Sequence, residues 1–217
     1  MVKKSDRDLA RAVIDRYPKS YADELKIDVA KNTPSPLFQW LIASLLFSTR
    51  IASDAAMRAA GALFEKGWRT AGKMAETSWE ERVHVLNRNG YARYDESTAR
   101  YIGSSLELLT ERYQGDLRKL REAAGRDPER ERKLLKEFKG IGDVGADIFF
   151  REVQTAWDEI YPFADKKALD AARALGLPAS AQDLAGLVDR RELPRLLSAL
   201  VHVSLAKEVD VIKHKAA

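Results

Sequence analysis

Cysteine is absent from the 217 residues, which removes disulfides, thiolate nucleophiles, cysteine-held zinc and every cysteine-ligated iron–sulfur cluster at once. Histidine is scarce: His84, His202 and His214 stand well apart, with no HxxxH or HxH spacing, so a histidine metal centre has no support. No apolar run approaches the ~20 residues that span a bilayer. The opening MVKKSDRDLARAVIDRY lacks the apolar stretch and cleavage site of a secretory signal, and the expectation is a cytoplasmic protein with no membrane partner. No stretch of four or more residues alternates convincingly between apolar and polar, so strands are not expected and the fold class is read as all-α.

What is present fits a globular helical protein. Hydrophobic residues make up 45% and charged residues 32%, a balance with neither a disordered nor a membrane signature. Lys and Arg exceed Asp and Glu by 37 to 33, an excess that permits an anionic partner without requiring one. Helical spacing recurs along the chain. Leu9, Ala12, Val13 and Tyr17 mark an amphipathic helix over Ser5 to Tyr17. PSPLFQWLIASLLFS opens with prolines suited to a first turn and continues as a helix buried on most sides. SDAAMRAAGALFEKG has Gly67 as a stop, and SWEERVHVLNRNG pairs Ser78 with Glu81 at capping-box spacing. Further helices are expected over Glu96 to Tyr113, Asp127 to Phe138, Val144 to Thr155, Lys166 to Leu175, a short one from Ser180, and a last one from Leu193 to about Lys207. The sum is roughly ten short helices. RDPERERKLLKE reads as a solvated helical face.

The stretch EFKGIGDVGADIFF breaks this pattern with Gly140, Gly142 and Gly145. A helix that stops near Phe138, turns through Lys139, Gly140, Ile141 and Gly142 and restarts at Asp143 needs residues tolerant of positive φ and bare backbone. The restarted helix presents unpaired N–H groups, which with its dipole attract phosphate. A turn of this kind grips a nucleic-acid backbone without reading bases; a close-packed helix–helix corner explains the glycines equally well. A nucleotide-binding P-loop does not, because no Gly-Lys-Ser/Thr follows and no strand precedes.

LLKEFKGIGDVGAD resembles the helix–hairpin–helix element of the HhH-GPD DNA glycosylase superfamily, the group of endonuclease III and oxoguanine glycosylase, with Gly140, Ile141, Gly142 and Ala146 at its defining positions. Downstream, YPFADKKALDAARALGLP resembles the family segment in which an aspartate starts a helix ending in Leu-Gly-Leu, here Asp165 and Leu175 to Leu177. PLFQWLIASLLFSTRIASDAA resembles the family's buried helix and the DNA-reaching loop after it, and NGYARYDESTARYI the helix start between them. The resemblance covers most of Leu37 to Leu177.

It implies a two-lobed helical fold with a DNA-binding cleft between the lobes. Residues 36–151 would form a helical barrel domain holding the hairpin; residues 1–35 with 152–217 would form the second lobe. The implied partner is double-stranded DNA containing a damaged base, bound by a monomer that is nucleoid-associated if bacterial. DNA would be held by Lys139, Gly140, Ile141, Gly142, Asp143, Val144 and Gly145 of the hairpin and by Ser48, Thr49 and Arg50 of the loop. Asp165 would be the catalytic carboxylate, stabilising positive charge on the sugar of a flipped nucleotide; the alternative reading is an ordinary helix N-cap, and the two are compatible. Backbone carbonyls of Lys136, Phe138 and Ile141 would hold a monovalent cation, K⁺ or Na⁺.

The sequence departs from the family in three places. Val144 stands where the strand-cleaving branch carries its imine-forming lysine, so the resemblance implies a monofunctional glycosylase. Lys139, Lys166 and Lys167 remain as substitutes or as plain surface charge. The four-cysteine iron–sulfur loop is missing, and no other cofactor is implied. Ser48-Thr49-Arg50-Ile51 replaces a glutamine- or asparagine-bearing loop, leaving Arg50 as either a gap-filling side chain or a loop cation. Phe38, Tyr161 and Phe163, with Trp40 and Trp157, are candidates for a pocket wall, although aromatics at helical spacing also build cores. The function read from the sequence is removal of a damaged base from duplex DNA. The alternatives are a non-catalytic DNA-binding protein on the same fold and a lyase using an unusual lysine.

Overall fold

The computed structural model describes residues 3–216, with side chains as far as His214. Among these residues there are helices and no strands: α1 (Lys4–Arg16), α2 (Tyr21–Glu24), α3 (Pro34–Phe47), α4 (Ser53–Glu65), α5 (Ala71–Ala75), α6 (Trp79–Leu86), α7 (Asp95–Tyr113), α8 (Leu117–Ala123), α9 (Pro128–Leu135), α10 (Asp143–Val153), α11 (Lys166–Leu175), α12 (Ala181–Ala185), α13 (Leu193–Ala206) and α14 (Val209–Ala216). Among the described residues no helix is long and apolar enough to cross a membrane. Fourteen α-helices replace the expected ten. Three of the additions, α2, α5 and α8, have four to seven residues, too few for an apolar stripe to repeat. The fourth, α14, follows Lys207, whose φ of 57° interrupts the helix expected to be the last.

The chain divides into two compact units, residues 27–149 and residues 1–26 with 150–217. Unit 2, residues 27–149, is organised on α3. Pro34 and Pro36 start that helix, where a missing N–H costs nothing. All ten residues from Leu37 to Leu46 are buried, each large aliphatic one contributing ~1.5–3 kcal/mol by leaving water. The polar groups taken in with them are paired: Trp40 Nε1 donates to the Phe149 carbonyl at 3.2 Å, Ser44 Oγ to the Trp40 carbonyl at 2.8 Å. Helices α4, α7 and α8 pack against α3, and α6 joins α4 to α7.

Unit 1, residues 1–26 with 150–217, is built on α13, whose apolar residues from Leu193 to Val203 are buried and which packs α1 and α11. The inward face of α1 is Ala10, Val13 and Ile14, with Leu9, Ala12 and Tyr17 at its margins. His202 lies between the rings of Tyr17 and Tyr21, with centroids 4.9 and 4.3 Å away, and its Nε2 is 3.2 Å from Glu24.

Candidate nucleic-acid interface and carboxylate site

The hairpin lies in unit 2. Helix α9 ends at Leu135, three residues before the expected Phe138, and the chain crosses to α10 through Lys136–Gly142. Phe138 and Ile141 point inward and are buried, while Lys139, Gly140, Gly142 and Asp143 are exposed. Ile141 N donates to the Phe138 carbonyl at 2.9 Å and closes the turn. Gly140 has φ +91°, and a Cβ there would meet Tyr101 Cδ2 at 2.8 Å, so both conformation and space demand glycine. Gly145 has an ordinary φ and sits in tight packing: a Cβ there would lie 3.2 Å from Ile141 Cδ1 and 3.4 Å from Ser48 Cβ. Gly142 faces open space with an ordinary φ, leaving bare backbone at the tip. The amides of Gly142, Asp143, Val144 and Gly145 have no hydrogen-bond acceptor among the described residues.

Side chains around the tip are arranged by charge. Lys136 Nζ pairs with Asp143 Oδ1 at 2.6 Å, and that hydrogen bond holds the Asp143 carboxyl below the usual carboxylate range. Val144, in the first turn of α10, is 60% exposed, an unusual position for valine. Among the described residues the Lys136 and Ile141 carbonyls accept no hydrogen bond, and that of Phe138 accepts one from Ile141, which leaves it a lone pair. Three such oxygens fit the monovalent cation that the family resemblance implies.

The loop after α3 is tied to this turn. Ser48 Oγ donates to the Leu45 carbonyl at 2.8 Å and lies 3.2 Å from the Gly140 carbonyl, so Ser48 braces the hairpin. Thr49 Oγ1 bonds the Leu46 carbonyl at 2.9 Å and the Tyr91 hydroxyl at 2.5 Å. Burial pushes the Tyr91 phenol up to about 12, which keeps it neutral. With Ser48 and Thr49 both committed inward, Arg50 is the exposed member of the loop and has no partner among the described residues. Phe38 and Trp40 are buried in the core of unit 2.

Asp165 belongs to unit 1 and is enclosed. It is the N-cap of α11: Oδ1 accepts from Lys167 N at 3.1 Å and Ala168 N at 3.2 Å. Oδ2 accepts from Arg151 Nε at 2.7 Å, and both side chains of that ion pair are 5% exposed. Burial opposes the Arg151 charge; the Asp165 carboxylate outweighs it and holds the guanidinium above the ordinary arginine range. Next to it, the buried Glu152 accepts from Ser198 Oγ at 3.2 Å. Burial pushes the Glu152 carboxyl up to about 7, against the opposing pull of Ser20 and Arg151. Lys166 pairs with Asp170 at 2.5 Å, whereas Lys167 has no ion pair among the described residues, and burial with the Arg151 charge moves its amine below the usual lysine range.

The approach to Asp165 is pinned by one side chain. Gln154 Oε1 accepts from Phe163 N and its Nε2 donates to Phe163 O, both at 3.0 Å. Phe163 and Tyr161 are half-buried; Phe163 meets Phe150 edge-on at 5.5 Å, and Arg190 lies over the Tyr161 ring at 4.4 Å. Trp157 is fully buried. Arg151 and Glu152 were not singled out from the sequence, although FFREVQ carries a signal: two adjacent charges in a helix that is otherwise apolar at that point. Such charges need partners if the helix is buried, and nothing local names Asp165, fourteen residues on, as one.

Two hairpin-joined helices with open amides, set in an all-helical chain, define a helix–hairpin–helix class of fold. No protein-family model matches the sequence, and no curated protein matches it. Among solved structures, a non-covalent endonuclease III–DNA complex is 20% identical, with a TM-score of 0.55 over 89% of this chain and 81% of that one. A trapped endonuclease III–DNA covalent intermediate, an estranged-adenine complex, is 21% identical, with a TM-score of 0.50 over 77% of this chain and 73% of that one. The chain has an endonuclease III-like fold.

Proposed function

We propose that the protein binds duplex DNA by its phosphate backbone and removes a damaged base by cleaving the N-glycosidic bond. One observation carries the binding half: four consecutive amides at a glycine-shaped turn have no acceptor among the described residues, and the first three, those of Gly142, Asp143 and Val144, belong to exposed residues. Open N–H groups at the start of α10 favour an anion and ignore base identity. The carbonyls of Lys136, Phe138 and Ile141 would hold a monovalent cation, which would add positive charge facing a phosphate oxygen. Arg50, free and exposed, is the side chain available to fill the space left by an extruded base.

For the chemistry, Asp165 offers a carboxyl group fixed in place by two amides and a guanidinium. Bond cleavage leaves positive charge on the sugar, and a fixed anion stabilises it without having to reorganise. Val144 has no amine, so no imine can form at the position where the strand-cleaving branch carries its lysine, which supports a monofunctional enzyme. A second reading, DNA binding without chemistry, is favoured by one feature: the guanidinium of Arg151 matches the Asp165 charge and occupies Oδ2. The test is release of free base from duplexes carrying one oxidised, deaminated or alkylated base each, read before and after alkali. Release from one class, with strand breaks only after alkali, supports a monofunctional glycosylase; duplex binding without release from any supports the second reading.

A further inference from the structure

Among the arginines of unit 2, Arg82 is buried, Arg69 bonds Gln39 and the Phe64 carbonyl, Arg121 is half-buried, and the others divide by whether they have an ion pair. Arg100, Arg112, Arg118 and Arg132 each pair with a carboxylate, those of Glu96, Glu137, Asp116 and Asp147. Arg50, Arg58, Arg88 and Arg93 are exposed and have no ion pair among the described residues. Arg126 and Arg130 are also without one, but they stand apart at the turn into α9. The first four are gathered around a single irregular turn, residues 87–91, where α6 passes through a π-helical segment before α7.

Local geometry shows how the turn collects them. Gly90 has φ +84°, and the Arg58 guanidinium lies 3.2 Å from where its Cβ would be. Arg88 and Arg93 flank that glycine in sequence. The Tyr91 hydroxyl donates to the Leu46 carbonyl at 2.7 Å and meets Thr49 Oγ1, which fastens the turn to the loop carrying Arg50. Arg88 also lines an open groove of about 390 Å³ with Lys66, His84 and Asn89, where Glu65 is the acidic member. The acid closest in sequence is withdrawn from the surface: Asp95 is buried and accepts from Asn87 Nδ2 at 2.6 Å and Glu96 N at 2.7 Å. The other exposed carboxylates on these elements are Asp54 at the start of α4 and Glu80 and Glu81 in the first turn of α6, at the end of that helix away from Arg88.

Like charges brought together without acidic partners repel one another, so this grouping adds nothing to the stability of the unit. Their planar forks match phosphate oxygens in pairs. We propose that Arg58, Arg88 and Arg93 form a second backbone contact, a strip that takes phosphates of duplex DNA beyond those held at the hairpin. This rests on the DNA-binding reading above and adds to it a surface that no part of the hairpin supplies. Arg93 is pre-set for the task, its guanidinium carried 5.3 Å above the Tyr94 ring.

The test is the salt dependence of binding to a labelled duplex without a lesion. Each phosphate that the protein no longer neutralises lowers the slope of log K against log salt by ~0.9. The full chain with Arg58→Ala, Arg88→Ala and Arg93→Ala together is expected to lose about 2 to 3 from that slope, while Arg126→Ala keeps the wild-type slope. All three residues are exposed, and circular dichroism of the variant is the check that it folds. Binding by the triple variant with an unchanged slope overturns the strip and leaves the hairpin reading standing. No duplex binding by wild type, even at about 50 mM salt, overturns the DNA-binding reading and the strip with it.

Discussion

At the hairpin of unit 2, four consecutive amides are left without acceptors among the described residues; around Asp165 in unit 1, both carboxylate oxygens are taken by three donors. The hairpin is exposed and shaped by glycine, with little of its polar capacity used internally. The Asp165 site is buried, and its charges are matched before any ligand arrives. The difference separates binding from chemistry. An open backbone waits for a partner and loses little by waiting, because water satisfies it meanwhile. A buried carboxylate has no such substitute and must be held by its own protein.

The strongest way to break the comparison is to remove one member of the buried pair. Arg151→Ala leaves Asp165 as an uncompensated buried charge and is expected to cost about 3 to 5 kcal/mol in denaturant unfolding; a cost below about 1 kcal/mol would show that water reaches the pair.

Glu152 sharpens the same point through pH. Its carboxyl is raised to about 7 from an ordinary 4.5, so the folded state holds this proton more tightly than the unfolded chain. The resulting stability is full below the unfolded value and lost as pH rises through about 7. Glu152→Gln is therefore expected to flatten the fall in unfolding free energy between those values and to gain as much as ~3 kcal/mol above them. Denaturation curves at pH 5 and 8 check this, and a loss at pH 8 contradicts it.

At the hairpin, Gly140→Ala forces a side chain into a positive φ and against Tyr101. It is expected to cost about 1 to 3 kcal/mol and to weaken duplex binding, measured by fluorescence anisotropy. The smallest effect is expected at Val144, which nothing covers. Val144→Lys is expected to move stability by less than ~0.5 kcal/mol while strengthening duplex binding through an added cation beside the open amides. Unchanged binding would place that face of α10 away from DNA.

The helical class, the long helices and the hairpin were legible because each has a local cause: apolar spacing, Ser78–Glu81 capping, and a run of glycines at the turn, of which Gly140 is demanded by its positive φ. The capping-box bonds are both formed, and α11 has the expected span, closed by Gly176 at φ +87°. Short helices escaped because one turn carries no period. The Arg151–Asp165 pair and the link from Thr49 to Tyr91 join residues 14 and 42 positions apart, and pairing at such distance is decided by packing, which spacing does not encode. Phe38 and Trp157, considered as wall residues, lie in the cores of their units, and their sequence neighbours look the same in either role.

The most direct measurement follows duplex binding and base release side by side in wild type and in Asp165→Asn/Arg151→Gln. The double change removes the carboxylate without leaving a buried charge unmatched, and asparagine still caps α11. Equal binding, with release present in wild type and absent from the variant, is the predicted result. Release that persists in the variant, or is absent from both while binding holds, would contradict a catalytic role for Asp165.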